Sequence, residues 1–256
     1  MLFPASASPA TPPRVVITGA GIVTALGLGW EQNAAGFRTG RTAFRPVTLF
    51  DVSRQRVRVA AEVDLPTVLP PTRLTPRQTA RLDRASTMLL LATHEAWQQA
   101  GGEPAENIPL VLGTTAGGMT LGEAYFLQAL QTPRRQRQQP SRALYYQAQV
   151  QGRLIADAIG FSGPITVISD ACASGASAIG HAWELLRAGH AECAVAGGYD
   201  ALSQMVFAGF DALQALSPTV CRPFDARRDG LALGEGAAIL RLETLDHAHR
   251  RGAAIL

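Results

Sequence analysis

Residues 165–180 read ITVISDACASGASAIG, and this stretch gives the clearest indication of the fold class. Its first part, Ile165 to Ser169, is a β-branched run that predicts a buried strand. After Asp170 and a few small residues, apolar residues recur at helical spacing, and Gly189 is placed to end a helix. The predicted apolar stripe of this helix consists of Ala176, Ile179, Trp183 and Leu186. A strand that leads directly into a helix is typical of layered α/β domains.

The alternation of strand and helix patterns extends over the rest of the chain. A helix is predicted from Arg81 to Gly101, and a first strand over Arg14 to Thr18, followed by a tight turn at Gly19 to Gly21. The polar stretch Gln131 to Arg142 predicts a loop. Further strands are predicted over short apolar runs bounded by Gly, Asp or Pro: Pro109 to Gly113, Cys193 to Ala196 and Ala237 to Leu242. The pattern indicates one α/β domain, with no internal repeat and no long linker.

Composition excludes several classes of protein. The chain has 256 residues, 47% hydrophobic and 17% charged, which is the balance of a globular domain. All 23 basic residues are Arg, so a Schiff base or a P-loop lysine from this chain is excluded. Three cysteines without metal-ligand spacing argue against a disulfide scaffold or a metal site. Because 20 acidic residues nearly balance the arginines and aromatics are not interleaved with them, we expect no nucleic-acid partner.

The N-terminal residues 1–13 are rich in Pro, Ala, Ser and Thr, and we expect them to form a disordered tail before a single domain over 14–256. They lack the basic region and apolar stretch of a signal peptide. No run approaches the 18 or so apolar residues that a membrane span needs. We therefore expect a cytoplasmic protein that does not enter a membrane.

Gly19-Ala20-Gly21 follows a predicted strand, as the glycines of a dinucleotide-binding turn do. However, Thr24 stands where the third glycine is required, and no acidic residue lies about twenty positions further on to hold a ribose. We therefore expect no nicotinamide or flavin.

Cys172 lies at the junction between the predicted strand and the predicted helix. Small neighbours would leave this elbow open to a substrate, and the first helical turn has free N–H groups. Two interpretations stand side by side, a nucleophilic cysteine or a buried structural one. A free thiol is only about 3% thiolate at pH 7, so a nucleophile needs further activation. The five histidines lie outside any catalytic motif, and solvated or capping roles are favoured for them: His94, His181, His190, His247 and His249.

Eight short motifs occur in a characteristic order along the chain. They are Arg14–Gly27, Arg81–Arg84, Asp170–Gly175, Ala196–Gly198, Ala215–Pro218, Arg222–Asp225, Arg228–Gly230 and Gly234–Gly236. With these motifs the sequence resembles the β-ketoacyl-acyl carrier protein synthases of the thiolase-like superfamily, and most of all their elongating type. The resemblance implies one αβα half of a five-layered αβαβα architecture. It also implies that Cys172 takes an acyl group from a carrier-protein thioester for a decarboxylative Claisen condensation, in fatty-acid or polyketide-type synthesis. No metal or organic cofactor is implied.

Members of that family are longer, and this chain ends where their first half ends. The second half carries the family's two catalytic histidines, its lysine and a loop that supplies one hydrogen-bond donor of the oxyanion hole. The resemblance therefore implies that this chain alone does not catalyse the condensation reaction. It also implies that the chain forms a homodimer or pairs with a chain supplying the second half. Alternative interpretations are a catalytically incomplete partner subunit, a carrier-binding module or a truncated product.

Other positions have weaker assignments by resemblance. The family has basic residues that meet the acidic acyl carrier protein at four positions, although an ordinary solvated surface is an equal alternative. These positions are Arg77, Arg81, Arg134 and Arg135. Asp170 departs from the family, which commonly has Thr there, and a carboxylate opposes ionisation of a nearby thiol. A structural role in a turn and a strand start is preferred for Arg228, Asp229, Gly234 and Glu235.

Overall fold

A six-stranded mixed sheet forms the centre of the structure, a computed structural model that describes residues 11–102, 107–132 and 142–256. Its order is β2-β1-β8-β7-β5-β6, in which β5 runs parallel to β6 and β7, and the other neighbours are antiparallel. The six strands are β1 (Val15–Thr24), β2 (Gly27–Leu28), β5 (Leu110–Gly113), β6 (Ile165–Ile168), β7 (Cys193–Asp200) and β8 (Gly236–Thr244). A separate two-stranded ribbon pairs β3 (Arg45–Pro46) with β4 (Val59–Ala60).

Helices cover both faces of the sheet. They are α1 (Gly29–Arg38), α2 (Pro76–Thr79), α3 (Arg84–Gln99), α4 (Met119–Gln131), α5 (Arg142–Tyr145), α6 (Ala148–Ile159), α7 (Ser174–Arg187), α8 (Gln204–Ala212) and α9 (Leu245–Arg250). Alternate strand residues face opposite layers. In β5, Leu110 and Leu112 pack with α3 and α6, whereas Val111 between them packs with α7. The result is an αβα layering around one sheet.

The predicted strands and the long helix α3 are confirmed, but β1 and β7 extend four to six residues beyond their predicted ends. Asp83 begins α3, because its carboxylate accepts a hydrogen bond from the Ser86 N–H at 2.9 Å. Gly101 and Gly102 follow the helix with φ of +103° and +65°. Strand β7 continues beyond the predicted Ala196 to Asp200. Of the predicted loop 131–142, residues 133–141 lie outside the described part, as do residues 1–10 of the predicted tail.

The predicted turn at Gly19 to Gly21 is wrong, because β1 continues through both glycines to Thr24. The glycines are needed for contact with a helix. A Cβ on Gly19 would lie 2.1 Å from the carbonyl oxygen of Ala96 in α3, and a Cβ on Gly21 would lie 1.9 Å from that of Ala92. The motif therefore lets a strand and a helix approach backbone to backbone.

Helix α7 corrects the predicted apolar stripe. Leu186 is fully buried, but Ala176 is exposed and Trp183 keeps 39% of its surface accessible. Of the predicted stripe, Leu186 and the partly buried Ile179 pack on the sheet side, where Ala178, Ala182 and Leu185 join them. The helix was correctly predicted, but the face that the sheet covers is rotated from the expected one, and a partly apolar face remains open.

A buried cluster of charged residues lies near the C-terminal end of β8. The Glu243 side chain is fully buried, and it accepts hydrogen bonds from Arg251 and from the Thr18 hydroxyl. The Arg241 guanidinium lies 3.0 Å from the same carboxylate. Burial raises the pKa of Glu243, but the bonds from Arg251 and Thr18 and the charge of Arg241 outweigh it and lower the pKa to about 2.

Candidate active site

Cys172 lies in a short 3-10 turn, Ala171–Ala173, between the end of β6 and the start of α7. Its side chain is exposed, so the interpretation as a buried structural cysteine is wrong. Ala171, directly before it, adopts φ +60°, a left-handed conformation that residues other than glycine rarely adopt. The chain therefore turns sharply where it presents the thiol.

Hydrogen bonds hold this elbow from two sides. The Ala171 carbonyl accepts from the hydroxyls of Thr115 and Ser174, each at 2.7 Å. The Ser174 hydroxyl in turn accepts from the Asp170 N–H at 3.0 Å. The carboxylate of Asp170 accepts from the Ser177 hydroxyl at 2.7 Å, so it is tied to the next turn of α7. No side chain caps the N-terminus of α7.

A cavity of about 370 Å³ contains Cys172. Its walls come from strand ends and the adjoining loops, and glycines supply much of the surface. These glycines are Gly113, Gly175, Gly198, Gly234 and Gly236. Without side chains there, backbone surrounds the thiol and leaves room for a substrate next to it. Thr115 and Asp200 are among the polar residues of the same wall.

A second, larger cavity of about 710 Å³ lies between α4 and α8. It is mostly apolar, with Met119, Phe126, Tyr146 and Met205 among its lining residues, and Cys172 is not one of them. None of the residues of α4 is buried, although the helix is rich in apolar side chains. The chemistry of the thiol therefore belongs to the smaller cavity.

The other two thiols have different surroundings. Cys193 starts β7 and is buried, and burial raises its pKa to about 11 despite the nearby Arg241. Cys221 is half-buried in the segment before Arg222. Of the three, Cys172 alone is exposed at the start of a helix.

None of the five histidines lines the described cavity around Cys172. His181 is exposed on α7 and His190 is exposed just beyond it. His94 is half-buried in α3, where burial lowers its pKa. His247 lies against the Glu243 carboxylate at the far end of β8. These positions agree with the prediction that the histidines lie outside any catalytic motif.

Glu235 and Asp229 have the structural roles preferred from the sequence. Glu235 is buried and accepts from the Val63 N–H at 2.8 Å, the Leu202 N–H at 3.1 Å and the Arg84 guanidinium. Asp229 accepts from two hydroxyls, which lower its pKa. Gly234 and Glu235 also border the cavity, so the turn before β8 shapes one wall of the site.

The four arginines of the predicted carrier-docking surface are only partly described. Arg77 is exposed on α2, and Arg81 is exposed just after it. The Arg81 guanidinium stacks 5.1 Å from the centre of the Tyr145 ring and donates to its hydroxyl. Arg134 and Arg135 lie outside the described residues.

The predicted site omitted two residues that the structure brings to Cys172. Thr115 follows β5 and Asp200 ends β7, and both reach the cavity. The available signal was the position of polar residues at the ends of neighbouring predicted strands. Within the described ranges, no group of three or more His, Cys, Asp or Glu side chains is placed to bind a metal ion, and no helix is long and apolar enough to cross a bilayer.

Comparison with known proteins places this architecture in a family. The family model for the beta-ketoacyl synthase N-terminal domain matches residues 13–248. The chain belongs to the β-ketoacyl synthase family. Its fold is correspondingly thiolase-like, with one αβα half of the five-layered architecture.

Relatives and solved structures agree with this assignment. The tetracenomycin polyketide synthase ketoacyl synthase alpha subunit of Streptomyces glaucescens is 36% identical over 256 residues, which cover 94% of this chain and 60% of the relative. The ishigamide ketosynthase/chain length factor superposes with a TM-score of 0.85 at 32% identity, covering 95% of this chain and 61% of that one. A beta-ketoacyl synthase from Burkholderia phymatum STM815 superposes with a TM-score of 0.81 at 32% identity, covering 95% and 62%. The β-ketoacyl synthase chain described here thus spans about 60% of the length of these relatives.

Proposed function

We propose that Cys172 is the nucleophile of a ketosynthase of the polyketide type, and that it takes an acyl group from a carrier-protein thioester. One observation carries the proposal: the thiol is exposed at the β6–α7 elbow, inside a glycine-lined cavity. The names of the relatives, a polyketide ketoacyl synthase and a ketosynthase/chain length factor, support the polyketide type.

In the first step the sulfur of Cys172 attacks the thioester carbonyl carbon. A new S–C bond forms, the bond to the carrier sulfur breaks, and the carrier leaves as a free thiol with the proton that Cys172 loses. Negative charge develops on the carbonyl oxygen during the attack. The N-terminal N–H groups of α7, which no side chain caps, are suitable donors to such an oxygen.

In the second step a carbanion formed by loss of carbon dioxide from malonyl carrier protein attacks the acyl group. A C–C bond forms and the Cys172 sulfur leaves. This step needs groups that stabilise an enolate, and losing one oxyanion donor typically costs about 10²–10³ in rate. The described wall of the Cys172 cavity has no histidine or lysine. We therefore assign these groups to residues outside the 256, on the same protein or a second chain.

Exposed apolar side chains that a partner would cover support this division of labour. Trp183 on α7 and Phe126 and Leu130 on α4 are exposed apolar side chains, of which Phe126 keeps 62% and Leu130 66% of its surface accessible. Exposed apolar area of this kind marks an interaction surface. The word "subunit" in the name of the Streptomyces glaucescens relative is consistent with a second copy or a second chain as partner.

The test separates the two steps. The protein is incubated with an acyl carrier-protein thioester, and the peptides are analysed by mass spectrometry. We expect the acyl mass on the peptide containing Cys172, no acylation in Cys172→Ser, and full acylation in the matched Cys193→Ser variant. With malonyl carrier protein added, the 256 residues alone should release no carbon dioxide.

Two results would contradict the proposal. Acyl transfer to Cys221, or none in a folded protein, would exclude Cys172 as the nucleophile. Carbon dioxide release at ordinary enzymatic rates, roughly 1–10³ per second, from the 256 residues would show that no outside group is needed.

A further inference from the structure

Asp200, the last residue of β7, bonds to the loop that follows the neighbouring strand β5. One carboxylate oxygen accepts from the Thr114 hydroxyl at 2.7 Å, and from the N–H groups of Ala116 at 2.7 Å and Gly117 at 3.2 Å. The N–H of Thr115 lies 3.1 Å from each carboxylate oxygen. Because one side chain bonds to four consecutive residues, it determines the conformation of the whole loop.

The loop reaches the nucleophile through Thr115. While Asp200 holds the Thr115 N–H, the Thr115 hydroxyl donates to the Ala171 carbonyl at 2.7 Å. Ala171 precedes Cys172 and has φ +60°, a conformation that persists only where the surroundings hold it. Hydrogen bonds thus lead from Asp200 through Thr115 to the residue that orients the thiol.

A second support of the elbow acts differently. Ser174 also donates to the Ala171 carbonyl, but Ser174 belongs to the elbow itself, three residues further on. Its bond shapes the turn without fixing where the turn lies on the sheet. The Thr115 bond connects the turn to the loop after β5, which Asp200 ties to β7.

We propose that Asp200 is a positioning residue, which acts through Thr115 to hold the Ala171–Cys172 elbow in the orientation that exposes the thiol to its substrate. The inference deepens the proposed function and rests on it for the identity of the substrate. The orientation of the thiol itself can be measured with a small reagent that needs no carrier protein.

The experiment measures the rate at which iodoacetamide alkylates Cys172 between pH 6 and 9, by peptide mapping, in the protein that carries this chain. We expect Asp200→Asn and Thr115→Val each to lower the rate about three- to ten-fold, the effect of losing one hydrogen bond. Thr115→Ser, which keeps the hydroxyl, should restore the rate. The double variant Asp200→Asn with Thr115→Val should be little slower than either one, because both act through the same bonds.

Asp211→Asn is the matched control. The Asp211 carboxylate also accepts backbone N–H groups, from Arg56 at 2.9 Å and Val57 at 3.3 Å, and it does not line the Cys172 cavity. We expect this control to lower thermal stability and leave the alkylation rate and its pH profile unchanged. A purely structural role of Asp200 would give that same result.

Each outcome is decisive. Wild-type alkylation rates and pH profiles in folded Asp200→Asn and Thr115→Val would overturn the inference. If Asp200→Asn does not fold, the comparison of Thr115→Val with Thr115→Ser decides instead, and equal rates in those two overturn it. If thioesters fail to acylate the wild-type protein while the alkylation differences hold, the proposed function is wrong and the positioning role stands.

Discussion

The three cysteines show how the surroundings of a side chain set its chemistry. A thiol reacts as the thiolate, so burial without a compensating charge suppresses it. Cys193 is buried and burial raises its pKa to about 11, whereas Cys172 is exposed beside the uncapped N-terminus of α7. The difference in reactivity therefore follows from position in the fold, since the residue type is the same.

We expect brief treatment with iodoacetamide at neutral pH to modify Cys172 ahead of Cys193 and Cys221. Peptide mapping of the folded protein measures the order, and the same mapping in denaturant is the control, in which the three rates should converge. Preferential modification of Cys193 or Cys221 in the folded protein would count decisively against the prediction.

At the scale of elements, two glycines allow close backbone contact between β1 and α3. Gly19 and Gly21 lie on the face of β1 that α3 covers, opposite the carbonyl oxygens of Ala96 and Ala92. The Glu95 carboxylate of α3 accepts the Ile22 N–H of the same strand at 2.8 Å. Strand and helix are therefore joined by both close packing and hydrogen bonding.

Gly21→Ala is expected to destabilise the protein by about 1–3 kcal/mol or more, because the new methyl group cannot fit against the Ala92 carbonyl. Gly209→Ala in α8 is the matched control, since a Cβ there meets no atom within 4 Å. That change should be neutral or stabilising by up to about 1 kcal/mol, the helix propensity of Ala over Gly. Urea denaturation measures both, and equal stabilities would refute the packing argument.

At the scale of the whole molecule, Glu243 and its partners Thr18, Arg241 and Arg251 connect β1, β8 and the segment after α9. Because the pKa of Glu243 is lowered to about 2 in the folded state, its ionised form favours folding at neutral pH. That stabilisation is fully present above about pH 4.5, the ordinary value for Glu, and is lost as the pH falls toward 2.

We expect Glu243→Gln to lower the free energy of unfolding at pH 7 by about 3–5 kcal/mol, because the buried Arg241 and the half-buried Arg251 lose the negative charge that they face. Between pH 4.5 and 2, the stability of this variant should also depend less on pH than that of the wild type. Glu192→Gln is the matched control, as Glu192 forms an exposed pair with Arg250, which is worth at most about 1 kcal/mol. If the stability of Glu243→Gln fell between pH 4.5 and 2 as steeply as that of the wild type, the assignment of this pH dependence to Glu243 would be wrong.

The predicted docking of an acidic carrier protein depends on charge at the molecular surface. Replacing the four proposed docking arginines by Ser should weaken carrier binding at low ionic strength, and wild-type binding should weaken as salt rises. The four are Arg77, Arg81, Arg134 and Arg135. The control replaces the same number of exposed arginines elsewhere, and titration calorimetry compares the two. The control residues are Arg14, Arg38, Arg153 and Arg227. Unchanged binding in the first variant would remove the docking surface.

Features that depend on neighbours along the chain could be predicted from the amino-acid sequence. The spacing of apolar residues located α3, short apolar runs located β5, β6, β7 and β8, and the strand-to-helix junction placed Cys172 at an elbow. The order of short motifs was sufficient to indicate the family and the half of it that this chain represents. Such signals are local, so they survive without knowledge of the fold.

Features that join residues far apart in the chain became visible only in the folded structure. Thr18 and Glu243 are 225 positions apart, and Thr115 and Ala171 are 56 apart. Gly19 and Gly21 looked like a turn because the sequence does not show that a helix backbone lies against them. Trp183 looked like core because helical periodicity locates an apolar face without telling what covers it. Pairing across a sheet and packing between layers are set by the chain as a whole, and no local pattern encodes them.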